Sequence, residues 1–252
     1  MSQRKPFFYQ LLAFLVILPV IMISGCTSRP GPLYPPADSV RLADVQRLEF
    51  VNAYLQGKLC QAGILLAKSN DNYLAQDDFC SVSRNFLIAY KLTSYSGSPR
   101  KELLEKAFEA ALFDHGCWPD LQESQDLLAG SDKDARYLDL IEEQNFMRLK
   151  RELHQEEDPL FASVYWRKSA QEAIKAYQKD LALEFVQQAR AIDSAQGWVV
   201  FLIKDWKLLS QLDIESYDKD FIEKRIKILE NALQICPNGP QYFPDPRTTD
   251  NP

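Results

Sequence analysis

The chain has 252 residues, of which 46% are hydrophobic and 25% charged, and its net charge is −6. That is enough apolar material for one or two packed domains. The acidic balance excludes gripping nucleic acid or anionic lipid through a broad basic field. Glycines number only 9, and the 14 prolines gather toward the two ends, leaving a middle that favours helix.

Taken in chain order, Arg4 and Lys5 form a positive start with no nearby acid, and Phe7 to Ile23 is almost wholly apolar. The run is borderline for a membrane span, which takes about 20 residues. A charged start, an apolar stretch and small residues before a cleavage point define an export signal. The quartet Ile23-Ser24-Gly25-Cys26 resembles the lipobox of bacterial lipoproteins. The resemblance implies cleavage after residue 25 and lipid attachment on Cys26. Two or three acyl chains, at about 0.8 kcal/mol per buried methylene, would hold an otherwise water-soluble body on a membrane. Thr27, where an Asp would imply inner-membrane retention, implies the outer membrane, facing the periplasm. Without Arg4 and Lys5 the mature part carries a charge of about −8.

Residues 26–38 hold four prolines and a glycine and read as a semi-stiff tether. From residue 39 to 237 the text is helical. Ser39 is a cap for a helix running to Gly57; a short helix spans Leu59 to Lys68, and a polar loop Ser69 to Asp77. Asp78 caps the next helix, and Ser98-Pro99 opens another that stops at Gly116. Further helices are expected over Asp120–Ala129, Asp132–Gln155, Ala162–Gln178, Asp180–Ile192, Trp198–Leu212 and Asp218–Ile235. Residues 238–252 form a proline-rich tail. The expected class is all-α, with antiparallel helix pairs.

Three helices share one spacing: Leu104, Phe108, Ala111, Leu112 and Gly116; Ala182, Val186, Ala189, Arg190 and Ser194; Arg225, Leu229, Ala232, Leu233 and Pro237. The pattern resembles the second helix of a degenerate tetratricopeptide repeat. There small residues permit close helix crossing and a breaker ends the helix. Trp166 stands where the first helix of such a repeat carries its Trp, whereas Ser169 and Ala173 miss that helix's Leu and Tyr. Arg225 also departs from the small residue expected at its position. A short solenoid and an irregular helical bundle both remain open.

Besides Cys26, the cysteines are Cys60, Cys80, Cys117 and Cys236, an even number that in an exported chain predicts two disulfides. Three connectivities are possible; Cys60 and Cys80 fall on neighbouring helices, which favours that pair. No C-x-x-C spacing points to a redox or structural zinc site. His115 and His154 are the only histidines, and His115-Gly116-Cys117 reads as a helix end followed by a disulfide cysteine. The oxygens of Asn70-Asp71-Asn72 and Asp77-Asp78 lack the central Gly of a calcium loop. Arg148, Lys150 and Arg151 are followed at once by Glu152, Glu156, Glu157 and Asp158, which cancel their field. No catalytic residue, metal or cofactor is therefore expected.

Four tryptophans (Trp118, Trp166, Trp198 and Trp206) accompany 11 tyrosines and 14 phenylalanines. Most are expected in the core, and any on a helical surface would form an interaction site. The expected function is a membrane-tethered, non-catalytic adaptor for an unidentified protein of a bacterial envelope assembly. The alternative is a carrier holding an apolar ligand inside the bundle.

Overall fold

A computed structural model describes residues 38–114, 117, 132–212, 218–236 and 242–243. Among them the regular structure is entirely α-helical: α1 (Asp38–Leu55), α2 (Leu59–Leu74), α3 (Phe79–Tyr95), α4 (Lys101–Ala111), α5 (Asp132–Glu142), α6 (Phe146–Leu153), α7 (Pro159–Lys175), α8 (Lys179–Gln196), α9 (Val199–Gln211) and α10 (Lys219–Asn231). Helices adjacent in sequence pack as pairs, most extensively α1 with α2, α7 with α8 and α3 with α4. Short links at Gly57, Gly97 and Tyr177, each with positive φ, reverse the chain within these three pairs. The lipobox-like quartet, residues 26–37 of the expected tether, Trp118, and the expected helix over Asp120–Ala129 lie outside the described residues, while Asp38 already belongs to α1.

Helix boundaries follow local chemistry where a cap is present. The Asp78 carboxylate accepts from Ser81 N at 2.9 Å, and Asp158 accepts from Leu160 N at 2.8 Å with Pro159 in the first turn. Three expectations are corrected. Ser69–Asp77 is not a polar loop, because α2 continues to Leu74 with Ser69 and Asn70 buried. Ser69 Oγ donates to Ala43 O at 2.9 Å, and Asn85 Nδ2 donates to Asn70 Oδ1 at 2.8 Å, so these polar residues serve packing against α1 and α3. Ser98 does not open α4; Arg100 precedes its first turn in extended conformation. The expected helix Asp132–Gln155 is two, α5 and α6, broken where Gln144 takes a φ of 53°.

A continuous core runs through the helices, centred on Phe50, Leu66, Leu149, Trp166, Phe185, Phe201 and Ile203. In the repeat-like pattern, Ala111, Ala182 and Ala189 are fully buried, whereas Ala232 is exposed and Leu112 faces solvent. The third copy therefore lacks a buried small residue at the expected crossing point.

The predicted pairing of Cys60 with Cys80 is wrong. Cys60 bonds Cys236 across a Cα separation of 4.6 Å, and Cys80 bonds Cys117 across 5.2 Å. The first bridge follows from the return of the chain after α10. Gln234 N donates to Gly57 O at 2.8 Å, and Cys60 N donates to Gln234 O at 2.9 Å. Leu233 fills the space above Gly57, where an added Cβ would meet its Cδ2 at 2.7 Å. Beyond it, Phe243 lies 4.8 Å from the Tyr54 ring and 6.5 Å from Phe50. The C-terminal segment is thus packed against the first helix pair, and α9 also touches α1.

Peptide mapping under non-reducing conditions should yield Cys60–Cys236 and Cys80–Cys117 linked fragments; a Cys60–Cys80 fragment would contradict this fold. Replacing Cys60 and Cys236 by Ser should lower unfolding free energy by about 2–5 kcal/mol, more than the Cys80/Cys117 double replacement, because the larger loop constrains the unfolded chain more. Denaturant titration of the three chains measures the order.

Candidate functional site

Two surfaces and one buried charge cluster concentrate the chemistry of the chain. The cluster comes from α7, α8 and α9. Arg167 is buried, and both of its carboxylate partners, Asp193 and Asp205, are fully buried. Arg167 Nε donates to Asp205 Oδ1 at 2.8 Å, and Nη2 donates to Asp193 Oδ2 and, at 2.9 Å, to Ser163 Oγ. Ser163 Oγ in turn donates to Asp193 Oδ1 at 2.5 Å. The guanidinium also lies 4.3 Å from the centre of the Phe201 ring. Arg167 Nη1 and Asp205 Oδ2 have no hydrogen-bond partner among the described residues.

One cation faces two carboxyl groups, so a fully ionised cluster would bury a net negative charge. Burial pushes Asp193 up to about 8 against the pull of Arg167, with the neighbouring Asp205 adding to the rise. Both effects favour the protonated form of Asp193, which lessens the negative charge the cluster would bury. The attraction of the two carboxylates outweighs burial at Arg167, which stays charged.

A second polar knot lies nearby. The Asp134 carboxylate accepts from Tyr165 OH and from Tyr95 OH, the latter at 3.2 Å, and pairs with Lys91 at 3.2 Å. Burial, together with that carboxylate, pushes both tyrosines well above their ordinary range. These hydroxyls are hydrogen-bond donors that join α3, α5 and α7, not proton-transfer groups at neutral pH.

The first surface is a groove of about 690 Å³ between α8, α9 and α10. Trp206 forms its floor, with Arg190 at 4.8 Å and Arg225 at 5.1 Å from its ring centre. Phe221 meets Trp206 edge-on, and Ile228 stands exposed at the margin. The described lining contains arginine and lysine but no carboxylate. The second surface is a cavity of about 600 Å³ between the end of α3, α7 and α9, lined by Arg167, Lys168, Lys204 and Lys207 among others.

Of the sequence candidates, Cys26 and His115 lie outside the described residues. Cys60, Cys80, Cys117 and Cys236 all sit in disulfides. Cys80, Cys117 and Asp114 bring ligand-type atoms within 4.8 Å of one another, but both sulfurs belong to one disulfide and offer no thiolate to a metal. His154 stacks edge-on against Trp166 at 5.1 Å and neighbours no nucleophile in the described contacts. Arg148 pairs with Glu152 at 3.0 Å and Lys150 pairs with Glu184, so part of the basic cluster is neutralised in place. Trp166 and Trp198 are core residues; Trp206 serves both core and groove.

Sequence reasoning missed Arg167, Asp193 and Asp205. Each sits one to four residues from strongly apolar positions on a helix otherwise suited to burial, and that misplacement of charge was the available signal. Comparisons supply no further identification: no protein-family model, no curated protein and no solved structure matches the chain.

The linkage sign for Asp193 is set by its raised folded value. Its stabilising contribution is complete below the ordinary carboxylate range and is lost as pH rises toward 8 and beyond. The wild-type chain should accordingly lose stability between about pH 4 and 8, and Asp193→Asn, which mimics the protonated acid, should flatten that slope in urea titrations. An unchanged slope would remove Asp193 as its source. Arg167→Met, which leaves Asp205 buried without its cation, should cost about 3–5 kcal/mol.

Proposed function

We propose that this chain is a lipid-anchored, non-catalytic adaptor of a bacterial envelope, tethered by Cys26 and docking a partner protein in the Trp206 groove. The single observation that carries the docking surface is the pairing of an indole floor with two guanidinium groups at an open helical groove. Aromatic and arginine side chains dominate the energetics of protein interfaces, because each supplies broad apolar contact together with fixed donors. With Arg190, Lys224 and Arg225 around it and no carboxylate in its described lining, the groove fits an apolar segment bearing Asp or Glu.

The anchor rests on the N-terminal sequence: Arg4, Lys5, the apolar run and the lipobox-like quartet. Among the described residues no helix is long and apolar enough to cross a membrane. In this reading the acidic helical body stands off the bilayer on residues 26–38. The tetratricopeptide-like pattern supports a helical interaction module of the same kind.

Crosslinking in living cells with a tagged chain, followed by mass spectrometry, tests the reading. One dominant envelope protein should be captured, with capture weakened in Cys26→Ala. Ile228→Asp and Arg225→Glu change exposed or rim positions and should lower capture of that protein about tenfold, corresponding to about 1.4 kcal/mol, without loss of helicity. Capture unaffected by both groove variants would reject the groove; indifference to Cys26→Ala would reject the tether.

A further inference from the structure

The cavity between α3, α7 and α9 is separate from the Trp206 groove and differs from it in kind. Four cations line it, Arg167 and Lys168 on α7 and Lys204 and Lys207 on α9, and no carboxylate is among the described lining residues. The cavity thus presents cationic donors in a chain of net charge −6, although Arg167 and Lys207 are paired with carboxyl groups that are not part of its lining. Two of the cations are set deep. Arg167 is about 97% buried and lines the cavity; its Nε and Nη2 are taken by Asp205, Asp193 and Ser163, and its enclosed Nη1 has no partner among the described residues.

Lys168 is half-buried and makes no ion pair with the described residues. Its ammonium lies over the rings of Tyr165, at 5.1 Å, and Tyr95, at 5.9 Å. Burial lowers its proton affinity against the field of Asp134, with Lys91 adding to the fall. An incoming anion would offset that desolvation. Lys207 is held by Glu230 at 3.1 Å and contributes mainly field.

The neutral lining narrows the ligand class. Gln171 and Gln211 add amide donors on two different helices. The Ser94 hydroxyl donates to Tyr90 O at 2.9 Å and that of Ser210 to Lys207 O at 2.6 Å, so the lone pairs of these oxygens are left as acceptors. Donors arriving from several directions suit a tetrahedral oxyanion better than a planar carboxylate. Acceptors beside them suit hydroxyl groups. A bare phosphate would fill only a small part of about 600 Å³. We propose that this cavity binds a phosphoryl group carried on a hydroxylated scaffold, with Lys168 Nζ contacting the anion. The same chemistry is found in a free sugar or glycerol phosphate and in a glycerophospholipid headgroup.

Isothermal titration calorimetry on the full chain tests this with glycerol 3-phosphate, glucose 6-phosphate, glucose and a soluble short-chain phosphatidylglycerol. The phosphorylated probes should bind one to one and glucose should not. Lys168→Gln should weaken binding at least tenfold while circular dichroism keeps the native helicity, and Gln171→Leu, a milder change on the same helix, should weaken it about threefold. Tighter binding of the short-chain lipid assigns the site to a headgroup, and tighter binding of the free phosphates to a soluble ligand. Absence of heat from every phosphorylated probe, equal binding of glucose and glucose 6-phosphate, or unchanged affinity in both folded variants overturns the proposal.

Discussion

Arg167 is the point at which the second half of the molecule is joined. Its two carboxyl partners belong to different helices, so one guanidinium fixes the relative placement of α7, α8 and α9. A planar fork with several donors can hold both acids at once, which a lysine ammonium on the same stem would not do with the same geometry. Burying these charges is costly, and the upward shift of Asp193 lessens the excess negative charge. The surrounding apolar contacts, from Trp166, Phe185 and Phe201, supply the burial that makes the cluster necessary and the field inside it strong.

Both surfaces are consequences of that arrangement. Because α9 is pinned against α7 on one side, Trp206 is presented to α8 and α10 on the other, and the groove between them opens around its ring. On the α7 side, the same anchoring holds Arg167 at the wall of a cationic cavity whose remaining edge is the end of α3. The Asp134 knot sets that edge: Tyr95 and Tyr165 donate to one carboxylate from two helices and place their rings under Lys168. Polar groups that look like interruptions of the core therefore determine where the exposed chemistry lies.

The first half is organised differently, around one shared side-chain amide and a covalent closure. Asn85 bridges Ser69 and Asn70 of α2 while accepting from Arg47 of α1 at 2.6 Å, so α1, α2 and α3 share one buried amide. Cys60 then ties this unit to the segment after α10. A bridge spanning 176 residues of sequence restricts the unfolded chain far more than a local one and makes the C-terminal return part of the fold.

The helical class was legible in the sequence because it depends on local terms: apolar spacing near 3.6, caps such as Asp78 and Asp158, and the scarcity of glycine. An even cysteine count likewise pointed to two bridges. The sequence misassigned what depends on neighbours distant along the chain. Ser69 and Asn70 looked like a loop because their partners, Ala43 and Asn85, lie on other helices. Cys60 was paired with a near neighbour because nothing local records that residues 233–236 return to Gly57. Arg167, Asp193 and Asp205 each stand among apolar helix positions, but only packing brings the three charges from three helices out of water together. Local propensity chose the elements; burial, which is a property of the assembled molecule, decided which polar residues became structure and which were left with donors to offer.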